Sequence, residues 1–71
     1  MKTIEFVRDY RASGRTVNFR IESCAYAQET VFIVYENDEI TRMCDSLLGL
    51  LCYFRGTYGD TTMEIVKQYF Q

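Results

Sequence analysis

The chain has 71 residues, of which 48% are hydrophobic and 15% aromatic, with 8 basic and 10 acidic residues and a net charge of −2. This length predicts a single domain over residues 1–71, and the apolar content excludes an intrinsically disordered chain. The slightly acidic balance argues against direct nucleic-acid binding, which usually depends on a basic surface.

The first segment, residues 3–13, favours a helix. Ile4, Val7 and Tyr10 fall on one helical face, and Phe6 lies four residues before Tyr10. Gly14 suits the left-handed position that often follows a helix. A strand is the competing interpretation, because Ile4 and Phe6 also alternate.

A strand is predicted over residues 16–22, where apolar and polar side chains alternate in strict order. One face of this strand is therefore wet, which is typical of an antiparallel sheet. Residues 23–28 follow as a loop, with little to pack except small side chains.

A β-hairpin is predicted next, with strands over residues 30–36 and 39–43 and a turn at Asn37 and Asp38. These two residue types tolerate the positive φ angles of tight hairpin turns. The turn sets three pairs of opposed residues, namely Tyr35 with Ile40, Phe32 with Met43, and Glu36 with Glu39. Like charges directly opposite each other weaken a sheet, so the acidic turn raises a functional question.

Two helices are predicted to complete the chain. Asp45 or Ser46 can cap the first, which is apolar around most of its circumference over residues 47–54 and ends at Gly56. The pair Thr61 and Glu64 has the spacing of a capping box that opens the second. The predicted fold is α+β, with a helix, a three-stranded antiparallel sheet and two helices in the order αβββαα.

The cysteines and the apolar runs bear on location and metal binding. An odd number of cysteines at irregular spacing indicates free, reduced thiols, not a disulfide framework, and does not match the spacing of a structural zinc site. They are Cys24, Cys44 and Cys52. Acidic residues near the N-terminus interrupt any secretory leader, and no apolar run approaches the roughly 18 residues of a membrane span. We expect a cytoplasmic protein that does not bind membranes.

No catalytic or cofactor-binding motif is present. Histidine, the commonest general base, is absent. Neither a glycine-rich phosphate loop nor a nucleophile motif occurs. The sequence therefore predicts a protein that is not an enzyme and that has no catalytic, cofactor or metal site.

The acidic turn is the most suggestive polar cluster. Its carboxylates could bind arginines of a partner protein or imitate phosphates, although a plain solvated turn is the alternative. Tyrosine offers large contact area with a polar tip and is enriched in protein interfaces. The candidate partner-binding residues are Glu36, Asn37, Asp38, Glu39, Tyr26 and Tyr58.

The apolar helix offers a second hypothesis, from a different functional class. One side of it covers the sheet, and its other side, with Leu48 and Cys52, could form the seam of a homodimer. The protein would then be a small structural or regulatory interaction protein that assembles with itself.

The order of predicted elements, together with the stretch VYENDEI over residues 34–40, resembles the small Cas9-inhibiting anti-CRISPR proteins of Gram-positive phages. In that family, acidic residues at a hairpin turn occupy the site where Cas9 reads its short DNA motif with arginines. The resemblance implies a phage or mobile-element inhibitor that binds a host defence protein such as a CRISPR–Cas effector. It also implies that Glu36, Asp38 and Glu39 imitate DNA while Asn37 shapes the turn.

Overall fold

Four antiparallel strands followed by two helices form the fold in the computed structural model, which describes residues 1–71. The strands lie in chain order in one sheet, β1-β2-β3-β4. Their bounds, and those of the helices, are β1 Lys2–Tyr10, β2 Arg15–Tyr26, β3 Glu29–Glu36, β4 Glu39–Cys44, α1 Leu47–Tyr58 and α2 Asp60–Phe70. The prediction of a three-stranded sheet with a leading helix is therefore wrong, and the order is ββββαα.

The first segment is strand β1, which pairs with β2 along its whole length. Phe6 lies on the covered face of the sheet and stacks on Phe19 at 5.0 Å between ring centroids, whereas Val7 is 58% exposed on the other face. A helix would have placed Val7 with Ile4 on a buried face. Gly14 does have a positive φ of 66°, but it closes the β1–β2 hairpin instead of ending a helix.

Strand β2 extends beyond its predicted end. Residues 23–26 were predicted as loop, but they continue the strand and pair with the start of β3. The chain reverses at Ala27 and Gln28, whose φ angles of 51° and 70° match the positive-φ geometry of a type I′ turn. Neither residue is a glycine or an asparagine, the types that usually indicate such a turn. The sequence therefore does not predict a hairpin at this position.

The β3–β4 hairpin has the predicted turn. The two predicted pairs nearest the turn are confirmed: Tyr35 with Ile40, and Glu36 with Glu39. Beyond them a bulge shifts the register, so that Phe32 lies opposite Cys44 and not opposite Met43.

Helix α1 begins at the predicted cap and ends later than expected. The Ser46 hydroxyl accepts a 3.0 Å hydrogen bond from the Gly49 backbone N–H, which satisfies one of the free donors of the first turn. The helix continues through Gly56 to Tyr58. It stops at Gly59, whose φ of 93° is readily adopted only by glycine.

Helix α2 begins one residue after that glycine, without a capping side chain. The predicted capping box of Thr61 and Glu64 is therefore wrong. Thr62, the next residue after Thr61, is fully buried. The Thr62 hydroxyl and the Tyr10 hydroxyl of β1 form a 2.8 Å hydrogen bond. That contact holds the start of α2 against the sheet.

The core lies between one face of the sheet and the two helices. Phe19 and Phe54 meet edge-to-face at 5.4 Å in the middle of it. The other buried apolar residues are Ile4, Val17, Ile21, Phe32, Val34, Cys44, Leu50 and Val66. The opposite face of the sheet carries no covering element. Neither helix is long and apolar enough to cross a membrane.

Candidate functional site

The acidic turn is a rigid type I′ turn at the end of the β3–β4 hairpin. Asn37 and Asp38 have φ angles of 52° and 67°, which these residue types tolerate better than most. The Asn37 backbone N–H donates to the Asn18 carbonyl oxygen at 2.9 Å. Its side-chain Oδ1 accepts from the Asn18 N–H, also at 2.9 Å. The turn is therefore attached to β2 as well as to its own two strands.

Glu36 does not lie on the surface of this turn. It is only 8% exposed, and its side chain points to the covered face, between the sheet and α1. Its carboxylate accepts hydrogen bonds from Thr41 Oγ1 at 2.6 Å, from the Tyr53 hydroxyl at 2.5 Å and from the Tyr58 hydroxyl. A buried carboxylate needs such partners to offset its lost hydration. Glu36 is thus a structural residue that a partner cannot contact in this conformation.

The same cluster changes the acidity of the two tyrosines. Burial, followed by the hydrogen bond to Glu36 and its negative charge, raises the pKa of Tyr58 far above its usual value. The pKa of Tyr53 is raised for the same reasons, burial again being the largest. Both hydroxyls therefore stay protonated and act as hydrogen-bond donors over the physiological pH range.

Two carboxylates of the turn remain accessible. The Asp38 side chain is 94% exposed, and Glu39 is exposed at the start of β4. The guanidinium of Arg20 lies 3.8 Å from Asp38 and stacks over the Tyr35 ring at 3.9 Å. An ion pair this exposed contributes little energy, so Asp38 is free to exchange Arg20 for another cation.

The two predicted tyrosines do not join this turn. Tyr26 is exposed at the β2–β3 turn, at the opposite end of the sheet. Tyr26 lies eight positions further along β2 than Asn18, a distance of about 26 Å along a strand. Tyr58 lies near the turn but on the covered side, where its hydroxyl is bound to Glu36.

The predicted helical seam lies on the other side of the molecule. Leu48 is 73% exposed and Cys52 is also exposed, and together with Leu51 and Met63 they line a shallow apolar groove between α1 and α2. Arg55 and Lys67 border this groove.

The three thiols lie apart from one another and in different surroundings. Cys44 is buried, which raises the pKa of its thiol, whereas Cys24 is half-buried and Cys52 exposed. No group of three or more histidine, cysteine or acidic side chains is arranged to hold a metal ion.

The sequence predicts a wet face for β2, but sequence reasoning missed the cluster of side chains that forms on this face beside the turn. Arg20, Glu22 and Tyr35 form a connected group there: Arg20 Nε lies 3.5 Å from a Glu22 carboxylate oxygen, and the Tyr35 hydroxyl donates to Glu22 at 3.2 Å. The alternation of β2 and β3 could have placed these residues on one face, but only the strand register brings them together.

Comparisons with protein-family models, with curated proteins and with solved structures find no match for this chain. The element order that suggested an anti-CRISPR resemblance differs at its first element, since β1 stands where a helix was expected. Fold and site together define the chain as a four-stranded antiparallel sheet with two helices on one face and none on the other. Its acidic turn is held by hydrogen bonds to β2 and, through Glu36, to α1.

Proposed function

We propose that this chain is a non-enzymatic inhibitor that binds a basic site on a protein partner through the acidic turn. The observation that carries the proposal is Asp38, an almost fully exposed carboxylate on a turn that is held by β2 on one side and joined to α1 through Glu36. A turn held in one conformation loses little entropy on binding. A carboxylate held in this way is suited to a charge-assisted hydrogen bond with an arginine.

The expected partner is a host defence protein such as a CRISPR–Cas effector, which the chain would bind in the cytoplasm of the host cell. This part of the proposal comes from the resemblance of residues 34–40 and from the acidic charge of the turn. Because Glu36 is buried, the contact would use two carboxylates, those of Asp38 and Glu39, instead of three. We propose no cofactor, no direct contact with nucleic acid and no membrane.

Charge reversal at the turn tests the proposal. We would measure the affinity of purified Cas9, with its guide RNA, for the wild-type chain and for D38K/E39K. The double substitution should weaken binding by roughly tenfold or more, because it turns two attractive charges into repulsive ones. The matched control is E29K/E64K, which makes the same change in net charge at exposed sites away from the turn. Equal affinities for both double variants, or no binding by the wild type, would reject the proposal for this partner.

A second candidate function is homodimerisation through α1. The observation in its favour is Leu48, a large apolar side chain that is 73% exposed beside the groove formed with Met63. Sedimentation at micromolar concentration would show a dimer if this is correct, and L48E should dissociate it. A wild-type chain that sediments as a monomer would remove this candidate.

A further inference from the structure

We propose that the uncovered sheet face is a docking surface for a protein partner that presents basic and apolar side chains together. The open face is the uncovered face of the sheet. Its charged residues are Glu5, Arg20 and Glu22, and its apolar residues are Val7, Ile33, Tyr35, Ile40 and Met43. The inference rests on the proposed function in one respect, since it extends the contact of the acidic turn onto the adjoining face. It also names residues and a partner chemistry that the turn alone does not specify.

One half of the open face is apolar. Tyr35 lies opposite Ile40, and Ile33 lies opposite Met43, so these four side chains form a continuous strip across β3 and β4. Ile40 and Met43 are among the most exposed large apolar residues of the chain. An antiparallel sheet with one covered face normally presents polar residues on the other. A strip of this kind indicates a binding surface.

The other half of the open face is acidic. Glu5 lies opposite Arg20 on β1 and β2, and Glu22 lies two residues further along β2 on the same face. Asp38 borders the same area, beside a shallow concavity that Glu5, Val7 and Arg20 also line. Arg20 is the central cation of this half, and its charge is already shared between Glu22 and Asp38. On this half of the open face and at its border with the turn, the acidic groups therefore outnumber the basic ones.

The excess of acidic groups on the open face determines which kind of partner can bind there. A second copy of the chain would add the same excess of acidic groups and no unshared cation to neutralise them, which disfavours a contact between two copies through this face. A nucleic acid would be repelled for the same reason. A protein surface with arginine or lysine beside apolar side chains would neutralise the acidic half and cover the apolar strip at once. Aromatic residues and arginine are the side chains most often found at the centre of such contacts.

The acidic turn and the open face form one continuous surface. Asp38 contacts Arg20, Arg20 stacks on Tyr35, and Tyr35 lies beside Ile40. A partner that displaces Arg20 from Asp38 would therefore also meet the apolar strip. The helical groove around Leu48 lies on the other side of the molecule and is not part of this surface.

The test uses an amphipathic helical peptide with one arginine face and one leucine face as the probe, titrated into the isotopically labelled chain and followed by NMR. A peptide with glutamate in place of arginine is the charge control. Chemical-shift changes should cluster on the open face with the arginine peptide and be absent with the glutamate peptide. M43S and E5K should each weaken binding about fivefold or more, whereas L48S, a matched exposed apolar residue on the other side, should not.

Shift changes centred on α1 and α2, equal effects of M43S and L48S, or similar binding of both peptides would overturn the inference. A dimer that M43S dissociates, or a short DNA duplex that binds the open face, would overturn it as well by identifying a different occupant. The outcomes distinguish the proposal for the acidic turn from the proposal for the open face.

If Cas9 binding is lost in D38K/E39K but not in M43S or E5K, the open face is rejected as a docking surface and the acidic turn is retained. Peptide binding that depends on Met43 and Glu5, without any binding of Cas9, rejects the proposed partner and keeps the open face.

Discussion

The Tyr53 hydroxyl of α1 donates a 2.5 Å hydrogen bond to the carboxylate of Glu36 at the end of β3. This contact joins the helical layer to the strand that leads into the acidic turn. The Tyr58 hydroxyl, five residues further along α1, binds the other oxygen of the same carboxylate. A residue expected to face a partner is therefore the residue that holds the turn to the body of the protein.

Replacing Glu36 should destabilise the fold. E36A would leave three hydroxyl groups without their acceptor, and the expected loss is about 2–3 kcal/mol in the free energy of unfolding. Urea denaturation would measure it. The control is E39A, at the exposed residue directly opposite in the hairpin, which should change stability by less than about 0.5 kcal/mol. Similar effects of the two substitutions would contradict the structural role of Glu36.

The tyrosines of this cluster predict a loss of stability at alkaline pH. Their pKa values are raised in the folded chain, so the folded state keeps protons that the unfolded chain releases above about pH 10. Their contribution to stability is fully present below that pH and is lost as the pH rises towards the folded-state pKa. Urea denaturation from pH 8 to pH 11 should show the decline, and Y58F should reduce its steepness. A wild-type stability that stays constant up to pH 11 would contradict this prediction.

The hairpin of β3 and β4 could be predicted because its signals are local. Tyr35 and Ile40 flank two residue types suited to positive φ, and Ser46 is a standard helix cap. The environment of Glu36 could not be predicted, because Tyr53 and Tyr58 lie 17 and 22 residues away in sequence. Nothing in a charged residue beside a turn indicates that distant hydroxyl groups will enclose it.

The sequence of the first segment favours a helix over the strand that forms, because one residue breaks the alternation of apolar and polar side chains. The side chains of β1 that lie on the covered face are Ile4, Phe6, Arg8 and Tyr10. Because Arg8 is charged, the two-residue period of apolar side chains that indicates a strand is interrupted there. The Arg8 guanidinium lies over the Tyr10 ring, 5.8 Å from its centroid, so its stem packs as an apolar group would. The helical spacing of Ile4, Val7 and Tyr10 was coincidental.

The rigidity of the acidic turn depends on Asn37. N37A should destabilise the chain by about 1–2 kcal/mol, because alanine tolerates the positive φ poorly and the hydrogen bond to the Asn18 N–H is lost. N37G removes the same hydrogen bond but relieves the backbone strain, so its loss should be smaller. Thermal denaturation of both variants separates the two effects. Equal losses for alanine and glycine would mean that the side-chain hydrogen bond, not the backbone conformation, dominates at this position.

Alanine substitutions in β1 test the corrected fold directly. Phe6 stacks on Phe19 and on Tyr69 of α2, so F6A should lower the free energy of unfolding by about 2 kcal/mol. Val7 is adjacent in sequence but 58% exposed on the open face, and V7A should change stability by less than about 0.5 kcal/mol. Urea denaturation of the two variants measures the difference. A leading helix with Ile4, Val7 and Tyr10 buried on one face would instead make V7A strongly destabilising, so a large effect of V7A would contradict the strand assignment of β1.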